Sequence, residues 1–272
     1  MAPPRADWRS DQSLWIEIFV LLNFGGLVLD IFLAHSANHF RRQSEYIPLI
    51  FSALAAAVLA AIVPLRHRWP AVSRDVGYAV GWAAVAVGLA GVVLHLDSRF
   101  FYERTIRSLT YAAPFAAPLA YAGLGLLLIA NRMIDRESRE WAEWMLLLAL
   151  GGFIGNFVFS LTDHAQNGFF NPIEWLPVAT SALAIGFLLV PFLVSIDRRF
   201  LALCALVLVA QAIVGVAGLA FHAASALRQP GATLLERILS GAPPMAPLLF
   251  PNLVVLGLIA LWVLARHVPV RQ

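Results

Sequence analysis

Residues Leu14–Ser36 read LWIEIFVLLNFGGLVLDIFLAHS, and only Glu17 and Asp30 carry charge in that run. A helix crossing a bilayer needs about 20 mostly apolar residues. This stretch meets the requirement, and its length decides between a span and a leader. A secretory signal has a shorter apolar region behind a basic start. Here the run is long and interrupted, and it is preceded by Asp7 and Asp11 beside Arg5 and Arg9. It is therefore expected to be a retained first membrane helix.

Seven further runs of the same kind follow: Ile47–Leu65, Val76–His95, Leu109–Asn131, Trp141–Thr162, Ile173–Ser195, Phe200–Ala226 and Ala246–His267. Charged joints such as 66–75, 131–140 and 197–199 separate them. Trp15, Trp69, Trp141, Trp144 and Trp175 fall near the ends of runs, where interfacial anchors belong. The whole chain of 272 residues is 60% hydrophobic and 13% charged, against about 25% charged in soluble domains. Soluble globular folds, disordered chains and small disulfide scaffolds are excluded, and eight spans leave no room for a soluble domain. The expected fold is an all-α integral membrane protein, one transmembrane domain over 1–272 in contact with the lipid bilayer.

All 19 basic residues are arginine. If eight helices cross, both termini share one side. That side carries Arg5, Arg9, Arg66, Arg68, Arg74, Arg132, Arg136, Arg139, Arg198, Arg199, Arg266 and Arg271. The other carries Arg41, Arg42, Arg99, Arg104, Arg107, Arg228 and Arg237. The positive-inside rule then places both termini in the cytoplasm, of a bacterial inner membrane by the look of the chain. The arginines thus report topology; nothing points to nucleic acid or nucleotide as partner, and no Walker A pattern occurs.

The odd runs end alike: AHSANHF from Ala34, LHLDSRF from Leu94, DHAQNGF from Asp163 and FHAASAL from Phe221. The shared pattern is His-x-x-[Asn/Ser]-x-[Phe/Leu]. Each following run opens on a proline, at Pro48, Pro114, Pro177 and Pro247, where a helix tolerates the missing N–H. Glycine pairs precede each histidine, and small residues let membrane helices approach closely. The unit is expected to be a helical hairpin repeated four times in parallel orientation, over roughly 13–65, 76–131, 141–195 and 199–267.

Parallel repeats set His35, His95, His164 and His222 at one depth, near the outer face. With Asp97 and Asp163 they form a nitrogen and oxygen ligand set suited to zinc, iron, manganese or copper(II), or to axial ligation of haem. The Asn or Ser three residues on can orient the other ring nitrogen, or act as an ordinary helix-end polar group. Histidine at a helix C-terminus also suits the helix dipole without any ligand. His39 lies four residues after His35 in weak HxxxH spacing. Asp30 is an acid inside the membrane, which proposes a proton or charge partner or a metal ligand, or else a buried acid bonded to a neighbour. Asn156, Ser160, Asp163 and His164 share one helix face. Glu17, nearer the other end, is expected to snorkel to the interface or to pair with arginine. Cys204, the single cysteine, excludes a disulfide within the chain and cysteine-rich metal sites. Within the long connection 228–244, Leu234–Leu239 is expected to form a short interfacial helix, with 99–107 similar.

Three functions are consistent with these features. The first is a metal- or haem-binding membrane protein with a His/Asp-centred site, engaged in redox chemistry or metal handling. The second is a non-catalytic subunit of a larger membrane complex, partnered with other membrane subunits. The third is a small-solute or ion pathway along the repeat axis, lined by Asn23, Asp30 and the Asn156 face.

Overall fold

The computed structural model describes residues 11–268, which contain helices, turns and loops and no strand. The long helices are α1 (Gln12–Ser36), α2 (Tyr46–Ile62), α3 (Pro70–Leu96), α6 (Leu119–Met133), α7 (Arg139–Gln166), α8 (Trp175–Leu193), α9 (Arg198–Arg228) and α11 (Leu249–Leu264). Short helices α4 (Phe100–Glu103) and α5 (Ile106–Thr110) join α3 to α6, and α10 (Leu234–Ser240) lies between α9 and α11. Seven helical stretches are long and apolar enough to cross a membrane. The chain is an all-α integral membrane protein in contact with lipid.

Local chemistry sets the helix starts. Asp11, Ser138 and Asp197 cap α1, α7 and α9 by accepting the N–H of Leu14, Trp141 and Phe200 at 3.1, 3.1 and 2.9 Å. Thr105 and Thr233 form capping boxes with Ser108 and Glu236 ahead of α5 and α10. The short helix expected at Leu234–Leu239 is α10.

The run Leu109–Asn131 does not form one helix. The chain turns through 111–118, and α6 begins only at Leu119. Pro114 and Pro118 each lack an N–H and would clash with the preceding turn. The apolar composition carried the expectation of a full-length span there, and the prolines override it.

In the first half α1 packs on α2, α2 on α3, α3 on α6 and α6 back on α1. In the second half α7, α8, α9 and α11 close a ring in the same order. Each half is thus a four-helix bundle, and α1 and α3, like α7 and α9, stand across a diagonal. The α3–α6 contact is especially close. A Cβ on Gly125 would sit 2.3 Å from the Gly81 carbonyl oxygen. Such approach supplies the dispersion contacts that hold membrane helices together, since lipid tails give no hydrophobic drive.

The halves meet along α1, α6, α7 and α11, where most of the fully buried large side chains lie: Ile16, Phe24, Leu128, Trp141, Met145, Leu146, Phe153 and Leu256. Trp141 is not the interfacial anchor its position near a run end implied. It is fully buried, and its Nε1–H donates to Asn131 Oδ1 at 3.1 Å. Asn23 of α1 and Asn252 of α11 exchange amide hydrogen bonds at 3.0 and 2.5 Å across the same interface. This spends Asn23 on helix pairing.

At the end of the bundle opposite the histidines, Glu17 receives Arg132 at 2.9 Å and Arg66 at 3.6 Å. Asp11 receives Arg66 at 2.6 Å and Arg136 at 3.1 Å. The expected pairing of Glu17 with arginine is present, and it ties α1 to α6 and to the segment after α2.

Candidate functional site

His35, His95 and His164 occupy the last turns of α1, α3 and α7. His222 lies six residues before the end of α9. Because α1 and α3 stand across the diagonal of the first bundle, their histidines face each other over its end. The rings of His35 and His95 are 6.3 Å apart between centroids and inclined at 78°. In the second bundle Asp163, the neighbour of His164, is within electrostatic reach of His222.

The four histidines use Nδ1 in two ways. His95 Nδ1 is 2.9 Å from the Pro114 carbonyl oxygen, and His222 Nδ1 is 2.7 Å from that of Pro243. A carbonyl only accepts, so in these contacts Nδ1 carries the proton and donates. A neutral ring then presents Nε2 as a bare lone pair. His35 Nδ1 lies 3.5 Å from Glu45 Oε2, and His164 Nδ1 lies 3.7 Å from Glu174 Oε2. These are ion-pair distances, long for a closed hydrogen bond. Among the described residues no protein group hydrogen-bonds Nε2 of any of the four.

The turns that place Glu45 and Glu174 are built alike. After α1, His39 and Phe40 take left-handed φ of 60° and 48°. After α7, Gly168 and Phe169 take 69° and 49°. Each turn leads into a single 3-10 turn that ends on the glutamate, Gln43–Glu45 and Pro172–Glu174. Phe40 stacks on Tyr46 at 4.6 Å and Phe169 on Trp175 at 3.9 Å, which fixes each turn against the next helix.

The residue three past the histidine serves the helix end. Ser98 Oγ donates to the His95 carbonyl at 2.6 Å and accepts the Ala113 N–H at 2.8 Å. Asn38, with its amide turned to suit its neighbours, donates to the His35 carbonyl and to Glu45 Oε2 at 3.3 Å. In the first turn it thus closes the helix and meets the carboxylate that lies beside His35.

The other candidates are distributed around these pairs. Asp97 faces Arg42 at 3.6 Å and the Tyr102 hydroxyl at 3.4 Å. Asp163 is half-buried beside His164. Asp30 is half-buried on α1, with no hydrogen bond or ion pair among the described residues. Asn156 and Ser160 are buried, and Asn156 Nδ2 has no hydrogen-bond partner among the described residues. His39 is exposed at the turn. The four histidines do not gather at one point: among the described residues no group of three or more His, Cys, Asp or Glu side chains is placed to hold a metal ion.

The sequence reading missed Glu45 and Glu174. Both stand ten residues after a histidine and just before an aromatic-x-Pro helix start, a spacing that was legible. The two proline carbonyls had no such signal, because any residue supplies a carbonyl. No family model, curated protein or solved structure matches this chain.

Proposed function

We propose that the chain is a haem-binding membrane protein, with one haem held between His35 and His95 and a second between His164 and His222. The observation that carries this is the facing pair of His35 and His95, with Nδ1 of His95 and of His222 held by a proline carbonyl. Histidines that ligate a metal through Nε2 usually donate Nδ1–H to a carbonyl or carboxylate, which fixes the tautomer and the ring. Here each half has one imidazole on a proline carbonyl and one beside a glutamate. Two ligands suit haem better than a bare ion, because the porphyrin supplies the remaining nitrogens. The His35 and His95 rings, 6.3 Å apart between centroids, are the two side chains that would hold the group in the first half. Histidines facing each other inside a four-helix bundle are a recurrent way to build a cofactor site. The bound iron would supply one-electron redox chemistry. Glu45 and Glu174 would raise the basicity of their histidines, and Asp30 and Asp163 would stand by as charge or proton partners.

The chain is taken to cross eight times, as four hairpins grouped into two similar halves. Histidine and glutamate recur at 35 and 45 and, 129 residues later, at 164 and 174. Support for α6 as a full crossing comes from its run along α3. Gly91 meets Pro118, Gly88 meets Ala122, Gly81 meets Gly125, and Gly77 meets Arg132. Eight crossings put both termini on the arginine-rich side, the cytoplasmic face of a bacterial inner membrane.

The test is an absorption spectrum and metal analysis of protein purified from haem-replete cells. The expected result is a Soret band with about two haems per chain. His95→Ala should remove one haem, and His95→Ala with His222→Ala both. Protein that stays colourless after haemin is added overturns the proposal. So does stoichiometric zinc, copper or iron without a Soret band, which would indicate a bare metal ion.

A further inference from the structure

An open groove of about 470 Å³ lies beside the turn after α1, lined by Phe32, Ser36, His39, Phe40, Tyr46 and Leu49, with Leu239 of α10 closing it from the second half. Its walls are mainly aromatic and aliphatic. Its polar groups are the Ser36 hydroxyl, the His39 ring and the Tyr46 hydroxyl, none hydrogen-bonded to another described residue. Small-molecule sites have this make-up: roughly 300–1,000 Å³, mostly apolar, with a few polar groups that fix orientation.

A second observation singles out His39. The turn after α7 has the same left-handed backbone and uses Gly168 where the first turn has His39. Glycine takes that conformation at no steric cost, whereas a side chain there is strained. The first turn keeps a histidine at the strained position, and that histidine lines the groove.

We infer that this groove binds a lipid-soluble quinone, its ring against the aromatic wall, with one carbonyl accepting from His39 or Ser36 and its tail running out to lipid. The chemistry selects a flat ring with neutral acceptors over a phospholipid headgroup. The donors inside the groove carry no fixed charge, and the guanidinium of Arg42 is turned to Asp97 at 3.6 Å. The groove also adjoins the first histidine pair, since the Phe40 ring is 5.9 Å from that of His35. Binding does not depend on a haem at that pair.

The test uses purified full-length protein in detergent and a photoreactive azidoquinone with a decyl tail, mapped by peptide mass spectrometry. The expected result is saturable labelling within 32–49, displaced by unlabelled decyl-quinone and not by phosphatidylglycerol. His39→Gly copies the residue that the second turn already uses, so the fold and its melting temperature should hold. Loss of one hydrogen bond of about 1–1.5 kcal/mol should raise half-saturation about tenfold. Leu239→Trp, on the other wall, should fill the groove and abolish saturable labelling. Labelling spread over the lipid-facing surface overturns the inference, as does binding unchanged in both variants. Displacement of the quinone by phosphatidylglycerol also overturns it and makes the groove a lipid seat.

Discussion

Replacing Glu17 by leucine should destabilise the protein by about 3–5 kcal/mol, the usual penalty for removing one member of a buried ion pair. The size follows from what the neighbours keep. Arg66 retains Asp11 at 2.6 Å and is not stranded. Arg132 is 6% exposed in its side chain, and among the described residues Glu17 at 2.9 Å is its only carboxylate. After the change it keeps one acceptor, the Leu128 carbonyl at 3.2 Å. The exchange thus leaves a buried cation whose lost attraction is of order 5 kcal/mol at an effective dielectric constant near 20. The second half shows that the site itself accepts an apolar residue. Leu146 stands 129 residues after Glu17, at the equivalent place on α7, and is fully buried. Glu17→Leu with Arg132→Leu should therefore be less damaging than Glu17→Leu alone. Unfolding by SDS in mixed micelles, followed by far-UV and near-UV circular dichroism, measures Glu17→Leu, Arg132→Leu and the double variant. A loss below about 1 kcal/mol for Glu17→Leu, or a double variant equal to the sum of the singles, would refute the reasoning.

Gly125→Val should separate α3 from α6, because its first side-chain carbon would already lie 2.3 Å from the Gly81 carbonyl and 3.0 Å from the Val85 nitrogen. Neither backbone atom can step aside, so a loss of about 3 kcal/mol or more is expected, and a melting temperature unchanged from wild type would contradict the close packing. For topology, Glu103→Cys and Glu137→Cys in a Cys204→Ala background give a direct readout. A membrane-impermeant maleimide should label position 103 in intact cells and position 137 only after lysis. The opposite pattern inverts the orientation, and labelling of both in intact cells removes the eighth crossing.

Much of the architecture was legible because membrane physics leaves little choice. Backbone groups in lipid must be satisfied within a helix, so long apolar runs become helices. The repeat of histidine, Asn or Ser, and Phe or Leu marked the turns at one end of the bundle, and an arginine partner was one of the two outcomes open to Glu17. Two elements were not legible. Proline at a run's start signals a helix N-terminus, yet Pro114 and Pro118 together delay α6 to Leu119, and only the packing against α3 shows where the helix resumes. Trp141 had the position of an interfacial anchor, but Asn131 provides a buried partner for its N–H and draws it inward.

The candidate site divides in the same way. The sequence by itself determined the membrane class, the helical runs, and four histidines at one end, since these follow from composition and local period. Only the tertiary structure decided that His35 and His95 face each other. Helices two apart in the chain stand across the diagonal of a four-helix ring, so His35 meets His95, and no three candidate ligands meet. It also decided what each Nδ1 touches. A proline carbonyl 19 or 21 residues away has no side-chain signature, and a glutamate ten residues on reaches its histidine only because a left-handed turn folds it back.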